Sequence, residues 1–106
     1  MTDTLRRIVE LLRGGNVQIS VHGSDEMAAD GILVGEAIDG AVTASVVEDY
    51  PDYFKEPCTL VLQRDCSGNP IHVVWGIVRG QTSPTVLVTA YRPNPTHWSN
   101  DFLRRK

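Results

Sequence analysis

The sequence predicts an α+β domain: N-terminal helices packed on one face of a small antiparallel sheet, about four to five strands, with a helix closing the chain. Three observations predict it. Apolar residues in the first third recur with helical spacing. The second half alternates in Val, Ile, Leu and Thr-rich runs. Gly, Pro and Asn clusters separate those runs at hairpin intervals. With 106 residues the chain has room for one domain, 1–106, and its 42% hydrophobic and 22% charged residues suit an ordinary globular core.

Thr2 or Asp3 can cap a first helix in which Leu5, Ile8, Val9 and Leu12 fall at i, i+3, i+4 and i+7 before Gly14-Gly15 ends it. Val17, Ile19 and Val21 alternate with Gln18, Ser20 and His22, as in a half-buried strand. Ser24 suits an N-cap, Asp25 and Glu26 suit the positive end of a short helix, and Gly31 suits its stop. A second short helix covers Val34 to Ala41, with Ala37, Ile38 and Ala41 inward. Ser45 to Tyr50 reads as a strand broken by Pro51-Asp52, and Thr59–Arg64, Ile71–Val78 and Thr85–Tyr91 read as three more. Turns are expected at Cys66–Asn69 and Gly80–Pro84. Thr96 can cap a closing helix that turns Trp98, Phe102 and Leu103 inward.

Thirteen acidic against ten basic residues leave a net charge of -3, which argues against a whole-surface grip on nucleic acid but not against a local basic groove. No apolar run approaches the ~18 residues of a membrane span and no leader pattern opens the chain, so the expected location is cytoplasmic with no membrane partner. Cys58 and Cys66, eight positions apart, match no zinc-ligand spacing with His22 and His72 and read as unbridged thiols.

Short hairpin loops restrict register, so the strands can be laid side by side. With Val78 opposite Thr85, Val73 faces Ala90 and Trp75 faces Val88; a matching register places Leu62 beside Val73 and Leu60 beside Trp75. That makes one face apolar and directed at the helices. The other face then carries Gln63, His72 and Tyr91 side by side, with Val74, Leu87 and Thr89, and is expected to be only partly covered. Imidazole titrates near neutrality and a tyrosine hydroxyl can orient or protonate a phosphate oxygen, so His72 and Tyr91 form a candidate acid/base pair. His22, at the entrance to the next helix, is a second candidate. Arg92 can clamp phosphate, or pair with Asp101 or Glu48-Asp49; Gln63 and Arg64 stand as further substrate-binding candidates. Arg104, Arg105 and Lys106 form a basic tail.

At these residues a resemblance appears. Ile19-Ser20-Val21-His22, Met27, Gly31-Ile32, Val47–Pro51, Pro70–Val74, and Thr89–Pro93 with Trp98 resemble a bacterial family of unknown function (four-two-five-eight), grouped with the RelE-like, barnase–EndoU–colicin–RelE ribonuclease toxins. The resemblance runs from about Val17 to Arg105, leaving 1–16 as an N-terminal helical extension. It implies a RelE-like fold and metal-independent RNA cleavage by the ribose 2′-hydroxyl, assisted by a base, an acid and a cation. On matching positions His22, His72 and Tyr91 are the acid/base groups and Arg92 the clamp. No cofactor or metal is implied; RNA or a ribosome, and an antitoxin or other protein, are the implied partners. The sequence departs from the pattern at Glu26 and Asp30, where arginines are usual, and each reversal adds repulsion for phosphate. Two other readings follow: a non-catalytic protein-binding module that keeps the fold, and a metal-dependent hydrolase using His22, His72, Glu48 and Asp49. Neither the RNA target nor the oligomeric state is legible.

Overall fold

The computed structural model describes residues 2–50, 57–77 and 83–106. Helix α1 (Asp3–Arg13) begins where the Leu5 N–H donates to the Thr2 hydroxyl, and it buries Leu5, Ile8, Val9 and Leu12. Strand β1 (Val17–Ile19) follows, then α2 (Val21–Asp30), α3 (Val34–Gly40) and a single 3-10 turn over Ala41–Thr43. The second half supplies β2 (Ser45–Tyr50), β3 (Cys58–Arg64), β4 (Pro70–Ile77) and β5 (Thr85–Tyr91). Among the described residues the chain is thus α+β, three helices on a five-stranded sheet of order β1-β5-β4-β3-β2. No helix among them is long and apolar enough to cross a membrane.

The sheet is mixed rather than antiparallel, because β1 runs parallel to β5 at one edge, with Val17 beside Thr85 and Ile19 beside Leu87. Strand β1 is also shorter than the alternation through Val21 predicts. Ser20, not Ser24, is the N-cap of α2: its hydroxyl accepts from Gly23 N–H at 2.8 Å. The same hydroxyl donates to the Val88 carbonyl at 2.8 Å, and the Ser20 N–H donates to the Leu87 carbonyl at 3.0 Å. These bonds hold a bulge in β5. Trp75 pairs with Leu87 and Val74 with Thr89, so Val88 is the extra residue. Gly23 lets α2 lie directly on this bend, since a Cβ there would stand 2.8 Å from Leu87 Cδ2.

The bulge divides the expected register of the last hairpin. His72–Tyr91 and Val73–Ala90 pair as the sequence suggests, while Trp75 meets Leu87 instead of Val88. The β3–β4 hairpin differs by one residue throughout: Leu62 pairs with His72 and Leu60 with Val74. Asp65 sets that register, its Oδ1 accepting from Ser67 and Asn69 N–H at 2.9 and 2.8 Å while Gly68 takes a φ of +83°. A one-residue shift exchanges faces. The helix side therefore carries Val61, Ile71, Val73, Trp75, Leu87 and Ala90, all buried in the main core with Leu5, Ile8 and Met27. The turn expected at 80–84 and the strand break at 51–52 fall wholly or partly outside the described residues.

The expected C-terminal helix is absent. After Tyr91 the chain turns through 95–97, makes an antiparallel bridge between Trp98 and Arg105, and takes a φ of +60° at Phe102. Side chains that bond nearby backbone oppose a helix here, with Asn94 Oδ1 accepting from Thr96 N–H and Asp101 Oδ1 from Leu103 N–H.

We expect Ser20→Ala to destabilise the fold by about 1–2 kcal/mol, since it removes a helix cap and the bulge contact together. Urea unfolding should show a lower midpoint with an unchanged slope; an unchanged midpoint would refute this role for Ser20.

Candidate functional site

The second face of the sheet is partly covered, with Val74, Thr89 and Tyr91 half-buried. The C-terminal segment from Pro93 onward folds across it, and Leu60, Leu62 and Trp98 are buried yet stand apart from the main core cluster. His72 lies beneath this segment with 0% exposure, which corrects the expectation that its imidazole is an accessible acid/base group. Its Nε2 is 2.8 Å from the Phe102 carbonyl oxygen and its Nδ1 3.2 Å from the Tyr91 hydroxyl. A carbonyl only accepts, so Nε2 carries the proton in the neutral ring, Nδ1 is the acceptor, and the Tyr91 O–H donates to it. The Trp98 ring stands edge-on to the imidazole at 4.5 Å, and the Tyr91 ring at 5.4 Å.

Burial holds the His72 imidazole below its ordinary pKa; the Phe102 carbonyl opposes that, and the Arg105 charge adds to it. Burial likewise pushes the Tyr91 hydroxyl up, opposed by Arg105 and reinforced by Glu48 and Glu26. His72 is therefore a neutral, oriented ring that positions Tyr91, and the half-buried Tyr91 hydroxyl is the member of the pair nearer solvent.

The other predicted site residues divide. His22 is in the first turn of α2, its side chain 67% exposed and its Nε2 3.3 Å from Glu26 Oε1. The Glu26 charge is the weakest of the influences on the Tyr91 hydroxyl. Gln63 is on the opposite, helix-covered face, a consequence of the β3 register, and is 2% exposed. Its Oε1 accepts from Trp75 Nε1 at 2.9 Å and its Nε2 donates to the Ala37 carbonyl at 2.7 Å, which ties β4 through β3 to α3. Gly40 permits this approach, because a Cβ there would be 2.9 Å from Gln63 Nε2. Gln63 is thus a core residue rather than a substrate ligand. Arg64 is exposed at the end of β3, paired with Pro70.

Arg92 is a brace. Its backbone N–H donates to Asp30 Oδ2 at 2.8 Å, its Nε to the Asp30 carbonyl at 3.0 Å, and its Nη1 to Asp65 Oδ2 at 3.0 Å. It joins the end of α2 to the β3–β4 turn. Its partners are neither Asp101 nor the Glu48-Asp49 pair, and the guanidinium expected to clamp phosphate is already engaged by the Asp65 carboxylate and the Asp30 carbonyl.

Two residues that the sequence reading did not join to each other lie on the His72 side. Arg105, read as part of a basic tail, places its guanidinium 4.7 Å above the Trp98 ring and donates through Nε to Glu48 Oε1 at 2.8 Å. The other Glu48 oxygen accepts from the Tyr50 hydroxyl. Chiefly that bond, and Arg105 after it, keep the Glu48 carboxyl below its ordinary pKa, against the effect of burial. Only the long-range contact between the tail and β2 reveals this pair, and no spacing in the sequence announces it. Among the described residues, no group of three or more His, Cys, Asp or Glu side chains gathers to hold a metal ion.

Fold and site together define an α+β domain in which a polar Tyr–His pair on the sheet is enclosed by the C-terminal segment. The chain belongs to the family described as a domain of unknown function, DUF4258, which matches residues 19–92. No curated protein and no solved structure matches it.

A neutral buried imidazole binds fewer protons than the same group unfolded, so His72 contributes stability that is complete above its unfolded pKa of about 6.5 and is lost as pH falls below it. Stability measured by urea unfolding should therefore decline from about pH 7 toward pH 5, ahead of the acid loss at Glu48, Asp65 and Asp101, whose pKa values are lowered from ordinary carboxylate values. His72→Gln should flatten the first part of that decline. An equal slope in both proteins would show that folding does not lower the His72 pKa.

Proposed function

We propose that this domain is a toxin-like, metal-independent endoribonuclease of RelE-like type, acting on RNA free or on the ribosome, with Tyr91 rather than His72 meeting the substrate. The observation that carries this reading is the half-buried Tyr91 hydroxyl, oriented by a neutral imidazole and subject to the charges of Arg105, Glu48 and Glu26. The exposed His22, with Glu26 beside it, is the general base. The 2′-oxygen attacks phosphorus as its proton passes to His22. The bond from phosphorus to the 5′-oxygen breaks, and the Tyr91 O–H turns from His72 Nδ1 to supply the proton that oxygen needs. The products are a cyclic phosphate and a 5′-hydroxyl. His72 acts through Tyr91 as a positioning residue.

The second reading, a non-catalytic module that binds a protein partner, is favoured by two observations. Asp30 and Asp65 occupy Arg92, and the helical side exposes Leu33, Val34 and Val42 at 66%, 41% and 43%.

Mixed RNA incubated with the purified protein in EDTA, with and without ribosomes, should be cleaved. Tyr91→Phe and His22→Ala should each lower the rate by about 100-fold or more while the protein stays folded. Folded wild type that cleaves nothing under either condition moves the assignment to the binding module. Cleavage at the parental rate by both variants rejects this site.

A further inference from the structure

We propose that Arg105 is the phosphate-binding cation of the Tyr91 site and that Glu48 holds it in reserve as an internal competitor. The proposal rests on the ribonuclease reading for the nature of its ligand, a phosphodiester of single-stranded RNA.

Arg92 has its backbone and two side-chain nitrogens committed to Asp30 and Asp65, and it faces the β3–β4 turn. Arg105 is differently placed. Its guanidinium lies over Trp98, the Trp98 ring abuts His72, and His72 bonds Tyr91, so an unbroken chain of ring contacts joins the cation to the hydroxyl. Stacking on indole fixes the plane of a guanidinium without consuming its N–H donors. The grip of Glu48 is single: one oxygen takes Nε, and the other is engaged by Tyr50. An unforked ion pair on a side chain still 64% exposed is readily exchanged for a ligand that offers two oxygens to the guanidinium edge. Phosphate is such a ligand. The Trp98–Arg105 bridge fixes the Arg105 backbone, with the Lys106 N–H donating to the His97 carbonyl at 3.0 Å, independently of Glu48.

The two members of the ion pair then have opposite effects on RNA binding, which a purely structural pair would not show. The experiment measures binding of a short, mixed-sequence, 2′-O-methylated RNA, which cannot be cleaved, across a salt series. Its subjects are wild type, Arg105→Gln, Arg105→Lys, Glu48→Gln and Arg104→Gln, each with its thermal unfolding recorded. Arg105→Gln should weaken binding about tenfold and reduce the salt slope by about one, and Arg105→Lys should recover part of the loss. Glu48→Gln should tighten binding several-fold, and Arg104→Gln, the same charge change one residue away, should have the smaller effect. Wild-type affinity and slope in Arg105→Gln would overturn the proposal. So would equal losses in Arg104→Gln and Arg105→Gln, weaker binding in Glu48→Gln, or a folded wild type that does not bind this RNA. Binding that depends on Arg105 without any cleavage of unmodified RNA would retire the ribonuclease reading alone; cleavage with Arg105-independent binding would retire this proposal alone.

Discussion

The neutral ring of His72 is the contact on which the second face of the sheet depends. It is the meeting point of β4, β5 and the C-terminal segment, with one nitrogen for the Tyr91 hydroxyl and the other for the Phe102 carbonyl. Because the carbonyl dictates the tautomer, it also dictates the direction of the tyrosine's hydrogen bond. Phe102 holds a left-handed backbone conformation that costs a non-glycine residue about 1–2 kcal/mol. Leaving the buried imidazole N–H without an acceptor would cost a comparable amount, so the strained turn and the histidine sustain each other.

A similar economy governs the charges. The sequence has carboxylates near the places where a phosphate-binding surface would want cations, and the structure uses them as internal partners. Asp30 and Asp65 capture Arg92, Glu26 faces His22, and Glu48 faces Arg105. The Arg92 contacts link α2 to a turn whose register-setting residue, Asp65, is itself largely buried. The Arg105 contact is peripheral and more open. Two arginines with superficially equal claims to a ligand therefore differ in how far the fold has already committed them.

Much of this was legible in the sequence, and the exceptions have physical causes. The helical spacing of Leu5, Ile8, Val9 and Leu12 and the β-rich runs mark α1, β2, β3, β4 and β5 to within a residue or so of their observed ends. The pairing of His72 with Tyr91 agrees with the register assumed from the turn because the β5 bulge offsets a one-residue difference there, where Thr85 pairs with Ile77. Gln63 was misplaced because the hairpin closes on Asp65 and Asn69, a side-chain decision that strand periodicity does not carry. The last segment read as a helix because Trp98 and Phe102 have helical spacing. Their burial is real in outline, yet it is achieved in a bridged turn whose aromatic residues meet a histidine from a distant strand.

The division of the sheet into two unlike faces gives the site its freedom. On the helix side Trp75, Gln63 and the Ala37 carbonyl form a closed hydrogen-bonded chain inside the main core, where a change in any member leaves a buried polar group unpaired. On the other side Tyr91, Glu48 and Arg105 sit at or near the surface, and Glu48 and Arg105 form an ion pair that is partly exposed. His72 belongs to both regimes: its ring is as buried as Trp75, and its hydrogen bond ends on a hydroxyl at the rim. The fold thereby keeps a fixed polar anchor immediately behind an adjustable charged surface. That arrangement anchors Tyr91 on a buried ring while the Glu48–Arg105 ion pair on the same side of the sheet stays partly exposed.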